Sequence, residues 1–317
     1  MGSETDNGVV VVGGGVTGLT TAVVLAERGV RVRLWTRDPV GATTSAVAGA
    51  LWWPYRIDPP EAAQAWALES LGVYEEMALR PEATGVRMVE GVLGETPMDE
   101  VGGWAAARLP GLRPVTETEY PGGWGLWARL PLIDMPAHLP YLRDRLTAAG
   151  GTVETRAVAD LAEADAPVVV NCTGLAAREL VPDPSVRPVR GQLVVVENPG
   201  IRTWMVTEGA DGSMAYFFPQ PGRLLLGGTA EEDVWSDRPD PAAAEAIVRR
   251  CAALRPEIAG ARVLEHRVGL RPARDVVRLE RTRLPDGRVL VHNYGHGGAG
   301  VTVAWGCARQ AAGLAAA

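Results

Sequence analysis

Over the first 35 residues the apolar positions are continuous rather than alternating. Val9-Val10-Val11-Val12 has the uniform β-branched character of a strand covered on both faces, and it passes through Gly13-Gly14-Gly15 into an apolar, alanine-rich stretch that stops at Gly29. Residues 30–35 repeat the strand pattern, so the opening reads as strand, glycine turn, helix, strand. Beyond Tyr55 the pattern predicts a helix over 61–79, a strand over 86–89 and then a Trp-, Gly- and Pro-rich section up to Pro131. Amphipathic spacing returns over 136–149, followed by strands at 152–157 and 168–171. Alternation then predicts strands at 192–197, 203–207, 214–219 and 223–228, a helix at 241–253, strands at 262–270 and 276–281, and a closing helix at 301–314.

The order of these elements is interleaved. A strand–helix–strand unit builds a parallel sheet, and the strand at 168–171 rejoins it, whereas the run from 192 to 281 reads as an antiparallel sheet with one crossover. The expected fold class is α/β: a doubly wound, nucleotide-binding domain assembled from residues 1–57, 136–185 and 282–317, and a substrate domain from 58–135 and 186–281 built on a large mixed, mainly antiparallel sheet. No internal repeat or low-complexity segment is visible beyond the alanine tail.

The glycine turn carries the first candidate chemistry. In Gly13-Gly14-Gly15-Val16-Thr17-Gly18, Gly13 permits the tight turn, Gly15 lets backbone N–H groups approach a pyrophosphate, and Gly18 allows close packing of helix on strand. The second strand then leads to Thr36, Arg37 and Asp38, where an acid for an adenosine ribose is either displaced by one position or absent. Arg37 suits a 2′-phosphate or the edge of an adenosine, which leaves the dinucleotide open at this point. The C-terminal run Asn293-Tyr294-Gly295-His296-Gly297-Gly298-Ala299-Gly300-Val301-Thr302 decides for a flavin. Placed as a glycine-rich opening of the closing helix, it offers N–H donors and a positive dipole end to the charge a reduced flavin gains at N1 and C2=O.

Composition narrows the class. The chain has 317 residues, enough for two domains, and 47% hydrophobic positions, enough for a sizeable core. A net charge of −7 argues against a nucleic-acid partner. Cys172, Cys251 and Cys307 are far apart and lack metal spacing, and the four histidines His138, His266, His292 and His296 form no metal cluster, so reduced thiols and no metal are expected. No stretch is long and apolar enough to span a membrane and residues 1–8 carry no signal-peptide pattern, so a cytoplasmic location is expected. All 31 basic residues are arginine, which points to a GC-rich bacterial genome and removes any Schiff-base lysine. Nothing in the pattern specifies an oligomer interface, and a homodimer stays open.

Several short motifs recur in a recognisable order: residues 11–18; Thr43-Thr44-Ser45 with Ala50-Leu51-Trp52-Trp53-Pro54-Tyr55; Val170-Asn171-Cys172-Thr173-Gly174; Arg190-Gly191-Gln192; Gly269-Leu270-Arg271-Pro272; Arg278-Leu279-Glu280-Arg281; and residues 292–302 followed by Trp305-Gly306. With them the chain resembles the D-amino acid oxidases over nearly its whole length, together with their close relatives the D-aspartate oxidases. The resemblance implies a Rossmann-like FAD-binding domain with FAD held by Gly13, Gly15, Val16, Thr17, Gly18, Arg37, Asp38, Thr43, Thr44, Ser45, Gly49, Ala50, Leu51, Val158, Cys172, Thr173, Gly174, Gly297, Gly298, Gly300, Val301 and Thr302. It also implies a D-amino acid and O₂ as partners, with oxidation to a 2-oxo acid, ammonia and hydrogen peroxide. Eukaryotic members often end in a peroxisomal Ser-Lys-Leu type signal, whereas this chain ends Ala315-Ala316-Ala317.

An amino acid substrate needs its carboxylate fixed, its amine neutral and its Cα–H aimed at the flavin. Arg271, placed just past a strand and held by Pro272, is the carboxylate clamp of the family's Gly-x-Arg-Pro motif, because a guanidinium matches two oxygens. The resemblance places Tyr216 where a hydroxyl supports that carboxylate, and Gly298 where a backbone carbonyl accepts from the amine. Leu51, Trp53, Tyr55 and Phe218 fall at positions near the substrate side chain, which implies an apolar pocket for neutral or bulky D-amino acids. Better-known members carry a second tyrosine on a lid where this chain has Gly212, and the connection before β-pattern 214–219 is short, so the lid is expected to be reduced or missing. An acidic substrate would need a further cation, for which Arg202 and His266 are the rough candidates. A glycine- or sarcosine-type flavin amine oxidase and a non-catalytic flavin-binding protein are the remaining alternatives. Arg274, Arg278 and Arg281 read as structural ion-pair residues.

Overall fold

The computed structural model describes residues 8–54, 56–99, 101–209 and 212–317, apart from the side chains of 102, 104 and 106. The chain opens with β1 (Val9–Val12), α1 (Val16–Glu27) and β2 (Val32–Thr36), then α2 (Thr44–Val47), α3 (Pro60–Met77) and α4 (Pro81–Thr84). Next come β3 (Val86–Gly94), α5 (Gly102–Arg108), β4 (Arg113–Pro114), β5 (Gly125–Ile133), α6 (Met135–Ala148), β6 (Thr152–Thr155), β7 (Val168–Asn171) and α7 (Ala177–Leu180). The second half holds β8 (Arg187–Glu197), β9 (Trp204–Glu208), β10 (Met214–Gln220), β11 (Arg223–Gly227), β12 (Glu231–Glu232), α8 (Pro241–Leu254), β13 (Val263–Arg283), β14 (Val289–His296) and α9 (Ala304–Ala316).

Among the described residues these strands form one 14-stranded sheet in the order β4-β5-β3-β9-β10-β11-β8-β13-β14-β7-β1-β2-β6, with β12 on β8. The run β14-β7-β1-β2-β6 is parallel throughout, as β-branched strands covered on both faces require. From β10 to β14 every pairing is antiparallel, and β3 joins β9 in parallel, a pairing the pattern did not indicate. The α/β class and the mixed, mainly antiparallel sheet are thus present. α1, α3, α6 and α9 cover one face over a core that includes Leu19, Trp52, Trp66, Leu139 and Trp305. α8 closes the opposite face of the antiparallel part over Val194, Phe217 and Ile247, its first turn fixed by Asp240, whose carboxylate accepts from the Ala242 N–H at 2.9 Å.

Four elements differ from the pattern-based reading. The Trp/Gly/Pro-rich section contains β5, which is buried except at the half-buried Trp127 and the exposed Arg129 and so shows no alternation. β14 occupies residues that read only as a motif, because its neighbours β13 and β7 bury it and remove any need for alternation. The two strands expected at 262–270 and 276–281 are one, so Arg271 lies inside β13 rather than past its end. The closing helix starts at Ala304, three residues later than expected, because the glycines at 297, 298 and 300 belong to a 3₁₀ turn and a bend.

Candidate active site

The carboxyl edge of the parallel strands is where an open α/β sheet takes its ligands. Gly13 follows β1, Arg37 and Asp38 follow β2, Val158 follows β6, Cys172, Thr173 and Gly174 follow β7, and Gly297, Gly298, Gly300, Val301 and Thr302 follow β14. Five neighbouring strands therefore bring the separated motifs to one edge. The turns are packed so tightly that glycine is obligatory: a Cβ on Gly13, whose φ is +120°, would run into the Cys172 carbonyl, and one on Gly18 would meet the Gly13 carbonyl. Ser45, in α2, accepts from the Val16 N–H at 2.9 Å and so fixes α2 against the first turn of α1. Arg37 and Asp38 pair with each other at 2.8 Å on the exposed flank. Val158 packs instead into the cluster around Trp35 and Leu161, beneath the edge.

The first N–H groups of α9 are satisfied from α3: those of Trp305 and Gly306 both donate to Ser70 Oγ, each at 3.1 Å. The α9 dipole end is therefore capped within the core, and the 3₁₀ turn Gly297–Ala299, with Gly298 exposed at its tip, is what faces outward. Thr302 clips this loop to the segment after α2, its hydroxyl accepting from the Trp53 N–H at 3.3 Å and donating to the Trp53 carbonyl at 3.0 Å. Tyr74 adds a second clip by donating to the Val301 carbonyl at 2.8 Å. Neither Ser70 nor Tyr74 was legible from the sequence, since both sit in an ordinary helical pattern.

The strand that bears Arg271 runs along these loops. A Cβ on Gly269 would lie 3.3 Å from Val47 of α2, one on Gly174 would lie 3.6 Å from Pro272, and one on Gly297 would lie 3.9 Å from Ala273. Residues 269–273 are thus flanked by α2, the turn after β7 and the turn after β14. The Arg271 guanidinium lies over Gly191, where a Cβ would overlap it, and its Nη1 donates to the Thr229 carbonyl at 3.1 Å. Tyr216 reaches the same face from β10, over Gly227 and Gly228, stacked on Phe218 with centroids 4.8 Å apart and planes 22° apart. Gly49 completes that wall, because any Cβ there would press on the Phe218 ring at 2.8 Å. Gly191, Gly227 and Gly228 are a floor of missing side chains that sequence reading did not assign; the quoted Arg190-Gly191-Gln192 motif was the available signal.

Ala50 and Leu51 continue from Gly49 along β5, Ile133 N–H donating to the Ala50 carbonyl at 3.0 Å and Leu51 bridging Leu132. Trp53 is half-buried beside them, whereas Trp52 is a fully buried core residue whose indole N–H donates to the Ala67 carbonyl at 3.2 Å. Tyr55 lies outside the described residues. The two rough candidates for an acid-binding cation do not join this group. His266 pairs with Val194, which belongs to the opposite-face cluster, and Arg202 is exposed beside Ile201 of that same cluster. β9 and β10 are joined through residues 209–213, where Gly209 N–H donates to the Ser213 carbonyl at 2.8 Å and closes the connection; Gly212 is exposed.

The ionisable groups at the edge are quiet. Burial pushes the Cys172 thiol up to about 12, so it stays protonated, and burial lowers His296 to about 4, so its imidazole is neutral near pH 7. Among the described residues no group of His, Cys, Asp and Glu is placed to hold a metal.

A glycine cradle at the end of a parallel sheet, with a half-buried arginine and tyrosine on the face beside it, defines a dinucleotide-dependent oxidoreductase for a small carboxylate. The chain belongs to the FAD dependent oxidoreductase family, whose model matches residues 8–314. It is 78% identical over 316 residues to a D-amino-acid oxidase of Streptomyces coelicolor, covering 99% of this chain and 98% of that one. It is 51% identical to a D-amino-acid oxidase of Rubrobacter xylanophilus over 97% of this chain and 95% of the relative. Among solved structures, glycine oxidase from Bacillus cereus superposes with a TM-score of 0.83 at 18% identity, covering 99% of this chain and 97% of that one, a likeness of fold.

Proposed function

We propose that this chain oxidises neutral and apolar D-amino acids, converting amino acid, O₂ and water into 2-oxo acid, ammonia and hydrogen peroxide. The observation that carries the reading is the placing of Arg271 within a strand flanked by α2 and by the turns after β7 and β14, on a floor of glycines and beside Tyr216. The relative at 78% identity bears the matching name. The glycine turn after β1, the turns at 172–174 and 297–300, and the segment from Thr43 to Leu51 fit FAD, which when bound supplies the two-electron acceptor for the Cα hydride and the donor to O₂.

The chain's own residues then bind and orient. Arg271 holds the substrate carboxylate through two N–H groups, while its remaining donation to the Thr229 carbonyl fixes the guanidinium plane. Tyr216 adds a hydroxyl to the same carboxylate, and its stacking on Phe218 restricts the ring. The Gly298 carbonyl accepts from the neutral amine and so favours the deprotonated, reactive form. With carboxylate and amine fixed, the D configuration sends the side chain toward Leu51, Trp53 and Phe218. These are apolar or aromatic, and His266 and Arg202 lie elsewhere, which favours neutral substrates over D-aspartate. No side chain is assigned as general base.

The division into a cofactor domain of 1–57, 136–185 and 282–317 and a substrate domain of 58–135 and 186–281 is part of this proposal, as is a cytoplasmic location. The three cysteines are buried free thiols, which suits a reducing compartment, and among the described residues no helix is long and apolar enough to cross a membrane. The test is an anaerobic absorbance spectrum of the purified protein with D-alanine, D-phenylalanine, D-aspartate or L-alanine. Bleaching by the two neutral D-substrates alone is expected. Bleaching chiefly by D-aspartate would move the substrate class, and no bleaching of a yellow protein would overturn the reading.

A further inference from the structure

β13 carries an irregularity just past Arg271. Its pairing with β14 goes from Ala273↔His296 to Arg278↔Tyr294, five steps on one strand against two on the other, so three extra residues are accommodated beside the glycine loop. An excess of this size has no ladder to hold its shape, and side chains must do so. Arg274, the first residue of the excess, lies with its stem against Gly295, where a Cβ would stand 2.9 Å from Arg274 Cβ. Its Nε donates to Asp183 Oδ2 at 3.0 Å. The same oxygen accepts from the Tyr294 hydroxyl at 2.8 Å, and Tyr294 in turn accepts from Arg278 Nη1 at 2.7 Å. The other oxygen, Oδ1, accepts from the Ser185 N–H at 3.1 Å. Asp183 is only 6% exposed, and the charges of Arg274 and Arg278 lie at 3.0 and 3.7 Å.

This one carboxylate therefore ties together both ends of the bulge on β13, through Arg274 and Arg278, and the Asn-Tyr-Gly-His-Gly-Gly loop of β14, through Tyr294. Only two residues separate Arg274 from Arg271, Pro272 packed on Gly174 and Ala273 on Gly297. A chain this closely packed transmits a relaxation of the bulge to the guanidinium. We propose that Asp183 is a positioning residue for substrate binding, setting the guanidinium of Arg271 relative to the Gly297–Gly298 turn so that carboxylate and amine of one substrate are met together. Its charge holds Arg274 and Arg278 in a single arrangement, and its removal leaves Arg274 with no carboxylate, only the Val276 carbonyl, while Arg278 keeps Glu280 and Tyr294.

The proposal rests on the reading of Arg271 as carboxylate clamp, and the experiment separates the two. The holoenzyme and its Asp183→Asn, Asp183→Glu, Tyr294→Phe and Arg271→Met variants are titrated with propionate, the deamino analogue of alanine, following the perturbation of the flavin spectrum, and assayed with D-alanine well below each variant's Tm. Asp183→Asn is expected to raise the propionate Kd and the D-alanine KM tenfold or more with kcat within threefold and flavin content unchanged. Asp183→Glu, which keeps the charge, is expected to recover most of that loss, and Tyr294→Phe to shift both constants about threefold in the same direction. A lowered Tm with Kd and KM unchanged would show Asp183 to be merely structural and overturn the proposal. If Asp183→Asn is not recovered folded, an unchanged propionate Kd in Tyr294→Phe overturns it instead. Full propionate affinity in Arg271→Met would remove the clamp reading and this inference with it, whereas loss there without loss in Asp183→Asn removes only the inference.

Discussion

At the scale of single residues, the substrate face owes its shape to what is missing. Arg271 and Tyr216 lie flat over Gly191, Gly227 and Gly228 because any Cβ at those positions would overlap the guanidinium or the ring. The two side chains are not equal in consequence. Losing the partner of a bound carboxylate costs about 2–5 kcal/mol, so Arg271→Met is expected to reduce kcat/KM for D-alanine roughly 30- to several-thousandfold, and Arg271→Lys to recover part of it, lacking the two-pronged geometry. Tyr216→Phe removes one hydroxyl while leaving the ring on Phe218, and a net hydrogen bond is worth about 1 kcal/mol, so a rise of about fivefold in KM is expected. Steady-state kinetics across the three variants check the order. A Tyr216→Phe loss as large as that of Arg271→Met would mean that the carboxylate is not held as described.

At the scale of elements, the relevant feature is that two helix starts are fixed from elsewhere in the chain. Ser45 caps α1 through the Val16 N–H, and Ser70 of α3 caps α9 through Trp305 and Gly306. The second cap satisfies the first N–H groups of α9 from α3, and the 3₁₀ turn before it is the exposed element. Removing the Ser70 hydroxyl would orphan two buried N–H groups at about 1–3 kcal/mol for an unsatisfied buried donor. Ser70→Ala is therefore expected to lower Tm by several degrees while KM for D-alanine stays within twofold, measured by calorimetry and kinetics on the same preparation. A rise in KM without loss of Tm would place α9 nearer the substrate than its capping implies. By contrast, Gly18→Ala sets a methyl against the Gly13 carbonyl, in the cradle itself, and is expected to yield protein without bound FAD.

At the scale of the whole molecule, what was legible follows from what each pattern is a record of. The motif around Gly13 was legible because a backbone passing within van der Waals contact of another backbone admits only glycine, and those around Asn171 and Gly298 because Gly174, Gly295 and Gly297 take positive φ, constraints that are written residue by residue. Their convergence was not, since the contacts of Thr302 with Trp53 and of Tyr74 with Val301 join positions more than 200 apart with ordinary residue types. Burial likewise hides titration behaviour from the sequence. His138 and His296 are enclosed without a partner for Nε2, and His292 lies between Asn171 and Thr282; burial lowers each of the three to about 4. Because the folded pKa lies below the unfolded value of about 6.5, the unfolded chain binds more protons between those limits. The stability these imidazoles contribute is fully present above about pH 6.5 and is lost as the pH falls through about 4. Tm is accordingly expected to be flat from pH 8 to 7 and to decline progressively from 6.5 to 4. His138 is the cleanest probe because it is none of the proposed site residues, its Nδ1 paired with the Thr84 carbonyl at 2.8 Å. In His138→Gln the Tm at pH 7.5 falls with the loss of packing against Tyr74 and Tyr141, but its decline between pH 6.5 and 4 is shallower than in the parent. Parallel curves for the two proteins would show that this histidine titrates in the folded state as it does in the unfolded chain.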